Sequence, residues 1–148
     1  MIEKIGSAPV VGDLIYRTKD RAFDVSPRPA DGGVSLLVND VQIELDEDGV
    51  LLFVWGFCPH ESWLEAPLPV PFANSVGVRW SGPALVPGVS RRLNPNERWP
   101  VTHDTTTRWI CVGDPGAEGE RIAFAPGAVL VLQGGTLAAL WLHPQRVQ

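Results

Sequence analysis

The sequence predicts an all-β fold, an antiparallel β-sandwich or small β-barrel, formed as a single domain over residues 1–148. Three observations predict it. Short apolar or alternating runs recur between turn signals, the spacing expected of sandwiches and barrels. No segment combines ten or more residues of helical periodicity with a cap and freedom from proline, so at most one short helix is expected, in 91–99. Prolines and glycines, 14 and 15 of them, punctuate the chain throughout.

Taken in order, residues 1–11 are expected to be a weakly ordered lead-in. Residues 12–17 (GDLIYR) predict a first strand, with Leu14 and Tyr16 on one face. Residues 20–25 predict a second, closed by Ser26-Pro27-Arg28-Pro29, and Ala30-Asp31-Gly32-Gly33 is a turn signal. Residues 34–38 form an apolar run. The stretch 41–63, VQIELDEDGVLLFVWGFCPHESW, then predicts a hairpin. Its first arm alternates, with Val41, Ile43 and Leu45 on one face and Gln42 and Glu44 toward solvent. Its second arm, 50–58, carries no charge, which predicts a central strand covered on both faces.

Residues 59–100 are expected to be a long proline-rich surface segment. Eight prolines fall between 58 and 100, and Pro67, Pro69 and Pro71 alternate, which resists helix and central strand alike. Residues 76–80 and 84–89 are the strand candidates inside it. Residues 101–113 are threonine-rich and end in alternation. Strands are expected at 121–124, 129–132 and 136–143, with Gly134-Gly135 as a tight hairpin turn. The last hairpin echoes the earlier one: Gly135, Trp141 and Pro144 fall much as Gly49, Trp55 and Pro59 do. That echo is explained either by two hairpins obeying one set of packing rules or by a pseudo-symmetric barrel or double-sheet fold with both strand ends at one rim.

A net charge of −5 argues against nucleic-acid and membrane-surface roles and suits a basic partner. Two cysteines make no disulfide framework, and no apolar leader follows Met1, so a cytoplasmic location is expected. Ten arginines against two lysines, with abundant Gly, Pro, Ala and Val, suggest a GC-rich bacterial source.

The soft metal ligands are Cys58, His60, His103, Cys111 and His143. Cys58-Pro59-His60 has the spacing at which two strand side chains share a face. With His103 and His143 it outlines one alternative, a small-molecule or metal-dependent enzyme site at the rim, zinc being the ion that takes N and S ligands in tetrahedral geometry. Cys58 with His60 or His103 and Asp104 also spells a thiolate dyad or triad, although the apolar neighbours Trp55 and Phe57 raise rather than lower a thiol pKa. Glu61 and Glu65 flank Trp63, but paired catalytic carboxylates are not indicated. The acidic tip Asp46-Glu47-Asp48 is expected to be a solvated turn. No phosphate-cradling glycine loop is present.

Six tryptophans complete the inventory. Trp55 and Trp141 lie in apolar runs and are expected in the core. Trp63, Trp80, Trp99 and Trp109 lie in polar segments, and Arg79, Arg98 and Arg108 each precede one of them. Residues 74–110 carry a local balance of +3, leaving −8 for the rest. Tryptophan with arginine is a composition of binding hot spots and stacking sites. The expected binding residues are therefore Trp63, Arg79, Trp80, Arg98, Trp99 and Arg108. The expected function is a non-enzymatic protein that engages a protein partner, immunity- or inhibitor-like in general character, with no cofactor. A carbohydrate-binding module using exposed tryptophans is a second alternative.

Overall fold

A computed structural model describes residues 1–29 and 33–147. The turn signal at Ala30-Asp31-Gly32 lies outside the described residues. The strands are β1 (Ile2–Gly6), β2 (Asp13–Arg17), β3 (Ala22–Ser26), β4 (Val34–Val38), β5 (Val41–Leu45), β6 (Leu51–Phe57), β7 (Leu64–Glu65) and β8 (Asn74–Ser75). There follow β9 (Gly77–Trp80), β10 (Arg91–Arg92), β11 (Val101–His103), β12 (Ile110–Gly113), β13 (Glu120–Ala125), β14 (Ala128–Gln133), β15 (Thr136–Leu142) and β16 (Gln145–Val147). Among the described residues the helical content is one 3-10 turn, His60–Ser62, and 91–99 holds the short β10 and turns instead of a helix.

The all-β prediction holds, and of its two forms the sandwich is the one observed. Two seven-stranded sheets run β10-β4-β5-β6-β3-β2-β16 and β7-β11-β12-β15-β14-β13-β8, beside a ribbon of β1 and β9. The interior pairings are antiparallel, whereas the edge strands β10, β16, β7 and β8 each join in parallel. The two orders are the same topology. The sequence β4-β5-β6-β3-β2 in one sheet matches β13-β14-β15-β12-β11 in the other, with β6 and β15 at the two centres. This is the double-sheet form of the echo between Gly49–Pro59 and Gly135–Pro144.

Alternation fixes the layers. Val41, Ile43, Leu45 and Val54 of the first sheet and Ile110, Val112, Leu130, Leu140 and Leu142 of the second share one buried core. The opposite face of the second sheet buries Cys111, Val129, Val131, Ala139 and Trp141 beneath Leu68. Leu68 stands between Pro67 and Pro69, in a stretch without regular structure, and its amide donates to the Asp104 carboxylate at 2.9 Å. Burying such a leucine contributes roughly 1.5–3 kcal/mol.

Several local expectations are corrected. The 1–11 lead-in contains β1, whose Ile2 is buried and whose Glu3 is both register partner and ion-pair partner of Arg79 (2.7 Å). Only one of its side chains points inward, so no alternation was legible. Glu44 does not face solvent. It is 4% exposed because Trp55 Nε1 donates to it at 3.0 Å and the Gly33 amide at 3.2 Å. Trp55 is only half-buried, since the outer face of β6 carries the Arg28 guanidinium (5.0 Å from the ring centroid) rather than a covering layer. Residues 84–89 form no strand, and 101–113 forms two, β11 and β12, paired as a hairpin.

Gly134 and Gly135 have φ of 57° and 81°, the left-handed pair that a two-residue hairpin needs. Gly56 is the stricter position. Its φ is +110°, and an added Cβ would stand 2.9 Å from the Asp40 carbonyl oxygen. Gly56→Ala should lower unfolding free energy by about 1–3 kcal/mol. Urea denaturation checks this, and an unchanged midpoint would contradict it.

Candidate functional site

The chain crosses between the two sheets four times, ahead of β7, β10, β11 and β16, and the first and last of these crossings frame the site. After β6 it leaves the first sheet, turns at His60–Ser62 and pairs as β7 with β11 of the second. After β15 it leaves the second sheet and pairs as β16 with β2 of the first. Pro59 and Pro144 stand just past the two strand ends, where a proline stops further pairing.

Tyr16 of β2 organises the first crossing. Its hydroxyl donates to the Cys58 carbonyl at 2.7 Å and accepts the His60 amide at 3.1 Å. The single hydroxyl proton is thereby used, so the 3.3 Å contact to His60 Nδ1 requires Nδ1 to donate. Burial pushes the phenol up to about 12, so it stays protonated. Trp63 follows. Its ring centroid lies 4.9 Å from that of Tyr16 and 5.2 Å from that of His103, and its Nε1 donates to Cys58 Sγ at 3.3 Å. The Arg146 guanidinium of β16 sits over Tyr16 and Trp63, at 5.2 and 5.7 Å.

Cys58, His60 and His103 therefore gather around one indole, and His143 does not join them. Its ring lies 4.8 Å from Trp109, and its Nε2 donates to the Thr107 carbonyl at 3.0 Å. Among the described residues no three His, Cys, Asp or Glu side chains are grouped to hold a metal ion. Burial pushes the Cys58 thiol up to about 11, the indole hydrogen bond opposing it more weakly, and burial pushes Cys111 to about 12. Such thiols are protonated at neutral pH and are poor nucleophiles.

Asp104 is a loop-building residue. Its Oδ1 accepts the Thr106 and Thr107 amides at 2.8 and 3.2 Å, its Oδ2 accepts Leu68, and its backbone carbonyl accepts Arg108 N at 2.7 Å. Those amides hold its carboxyl below the ordinary value. The Asp46 carboxylate likewise caps its own turn, accepting the Asp48 and Val50 amides.

The three Arg-Trp pairs occupy three different places. Arg79-Trp80 lies on the β9 ribbon, where the Trp80 indole donates to the Pro83 carbonyl at 2.8 Å. Arg98-Trp99 lines a groove, and Arg108 lines a separate cleft. The cations found over rings are Arg28, Arg91 and Arg146, none of them a chain neighbour of the ring it covers. Successive strand residues point to opposite faces, so adjacency along the chain opposes stacking.

A groove beside Trp99 is lined largely by apolar side chains. It holds about 390 Å³ and is lined by Val41, Phe57, Cys58, Leu64, Trp99 and Val101 among others. Phe57 is 48% exposed and Leu64 59%. Asn39 fixes the Trp99 wall: its Nδ2 donates to the Trp99 carbonyl and its Oδ1 accepts the Trp99 amide, both at 2.9 Å. The Asn94 amide braces that same Oδ1 at 2.8 Å, and Arg98 pairs with Asp40 at the rim at 3.1 Å. Sequence reasoning missed Phe57, Leu64, Asn39, Tyr16 and Arg146. Phe57 could have been marked as the residue at which a covered strand ends; the others need the pairing of distant segments.

Two predictions follow from the site chemistry. At pH 8 only about one Cys58 in a thousand is ionised at a pKa near 11. A thiol-specific disulfide reagent should react slowly with the native protein and fast in denaturant; equal rates would refute the burial argument. Asp104, with its pKa held down, contributes stability above about pH 4 that is lost as pH falls through its folded value. Asp104→Ala should melt at lower temperature at neutral pH, with the gap closing below about pH 4. No protein-family model, curated protein or solved structure matches this chain.

Proposed function

We propose that the chain is a non-enzymatic binding protein of a bacterial cytoplasm that engages a protein partner, immunity- or inhibitor-like in general character. The observation that carries this is the groove between the sheets. Two large apolar side chains, Phe57 and Leu64, are 48% and 59% exposed and line the same groove as Trp99. Single exposed apolar residues are ordinary, but two beside a preformed aromatic wall and an arginine make a hot-spot composition. Both sides of the groove are held from behind, by the Tyr16 hydrogen bonds to Cys58 and His60 and by Asn39, which lowers the ordering cost of association.

The electrostatics favour a basic partner, since the chain carries −5. Both cysteines are free and buried, in keeping with a reducing compartment. Among the described residues no helix is long and apolar enough to cross a membrane. The chemistry available near the groove is poor: the Cys58 thiol is buried and alkaline-shifted, and the Ser62 hydroxyl donates to the Pro59 carbonyl.

The test is affinity capture from the source organism's extract, using wild type and the Phe57→Asp/Leu64→Asp variant in parallel. Wild type should retain a specific protein that the variant loses by about tenfold or more, the equivalent of about 1.4 kcal/mol. Circular dichroism confirms that the variant is folded. Capture of nothing above background, or undiminished capture by the folded variant, overturns the reading.

A further inference from the structure

We propose a second site, distinct from the groove: the cleft where the crossing arms meet binds a small organic phosphate monoester. The cleft holds about 380 Å³ and is lined by Thr18, His103, Thr105, Arg108, Ile110, Pro144 and Arg146. Two arginines, a histidine and two threonines line it, and no carboxylate is among the lining residues. On a chain of net charge −5 this is a concentrated reversal of sign.

The Arg146 guanidinium is held by its neighbours, and the backbone that carries Arg108 is fixed. Arg146 lies over the Tyr16 and Trp63 rings, and one of its nitrogens is 3.5 Å from the Thr18 hydroxyl. Arg108 sits at a φ of 69° in the loop that Asp104 ties together. That loop is pinned again by the His143 bond to Thr107. Among the described residues neither Arg108 nor Arg146 has an ion-pair partner within 4.0 Å, a property they share with Arg91, Arg92 and Arg121, whereas Arg17, Arg21, Arg28, Arg79 and Arg98 are paired. Glu65 and Asp104 act on His103 from β7 and from its own strand end, yet neither lines the cleft. Desolvation and the two arginines hold His103 below its ordinary value, so at neutral pH it is a neutral ring poised to take a proton when an anion arrives.

The class of ligand follows from shape and charge. Two guanidinium forks with hydroxyl donors suit a dianionic, multi-oxygen head better than a single carboxylate. The volume exceeds that of a bare phosphate ion and falls within the range of small-molecule sites. Ile110 and Pro144, both buried, give an apolar wall for an organic body. The ligand is thus phosphate carried on a small apolar or planar group.

The experiment follows the imidazole resonances by NMR at constant ionic strength, the chain having three histidines to assign. The probes are phenyl phosphate, inorganic phosphate and benzoate. Phenyl phosphate should shift His103 saturably, raise its pKa and bind most tightly of the three. Arg108→Ala and Arg146→Ala should each weaken it by about tenfold or more, as expected when a charged hydrogen-bond partner is removed. Arg121→Ala, on the exposed start of β13, should leave it unchanged. Arg108 is on an exposed loop, so its variant carries the test if Arg146→Ala does not fold. Three results overturn the proposal: no saturable change at His103 with millimolar phenyl phosphate, undiminished binding by folded Arg108→Ala, or benzoate binding as tight as phenyl phosphate.

Discussion

The exchange of edge strands is the constraint on which the rest of the structure depends. β7 leaves the half of the chain that builds the first sheet and completes an edge of the second. β16 leaves the second and completes an edge of the first. A sheet edge is a row of unpaired amides and carbonyls, and each sheet here has one of those rows covered by the other half. Neither sheet is finished until both halves are present. The pairings are between residues far apart in sequence, such as Gln145 with Ile15, so each carries a large loop-closure cost.

The crossing also explains why polar and aromatic groups collect at one end. An arm that leaves a sheet must satisfy its own backbone while turning. The Tyr16 hydroxyl serves the first arm by bonding to Cys58 and His60 in opposite senses. Removing it would leave a buried carbonyl unpaired, at a cost of about 1–3 kcal/mol. Trp63 then fills the space between the sheets, and Arg146 of the second arm lies over it. The groove beside Trp99 and the cleft beside Arg108 are the surroundings of these two arms. One is apolar because β6 ends there at Phe57 and β7 begins at Leu64. The other is cationic because Arg146 and Arg108 arrive from different segments.

The same geometry redirects the residues with the greatest chemical capacity. Cys58 points into the core and toward an indole, where burial keeps it a thiol. Asp104 spends its carboxylate on three backbone amides and so shapes a loop. What remains facing solvent at this end is a mixture of arginines, threonines, half-exposed aromatics, His103 and the carboxylates of Glu61 and Glu65.

The fold class was legible in the sequence because strand alternation and turn chemistry are local properties. Residues 34–38 and 41–45 were read to their ends, and Gly134-Gly135 marked its hairpin, since each signal lies within a few residues of what it specifies. The echo around Trp55 and Trp141 was legible for the same reason, each tryptophan being tied to its own turn glycine. The two-residue strands β7, β8 and β10 were not, because a strand that short exists only through its partner. Nor was the burial of Glu44, which depends on an indole across the hairpin and an amide eleven residues earlier. The sequence by itself determined that Cys58, His60 and Trp63 would fall where a strand ends. Only the tertiary structure decided that they would surround a packed indole, and that Arg108 and Arg146 would meet 38 residues apart in a cleft, because both outcomes turn on which sheet edge each arm joins.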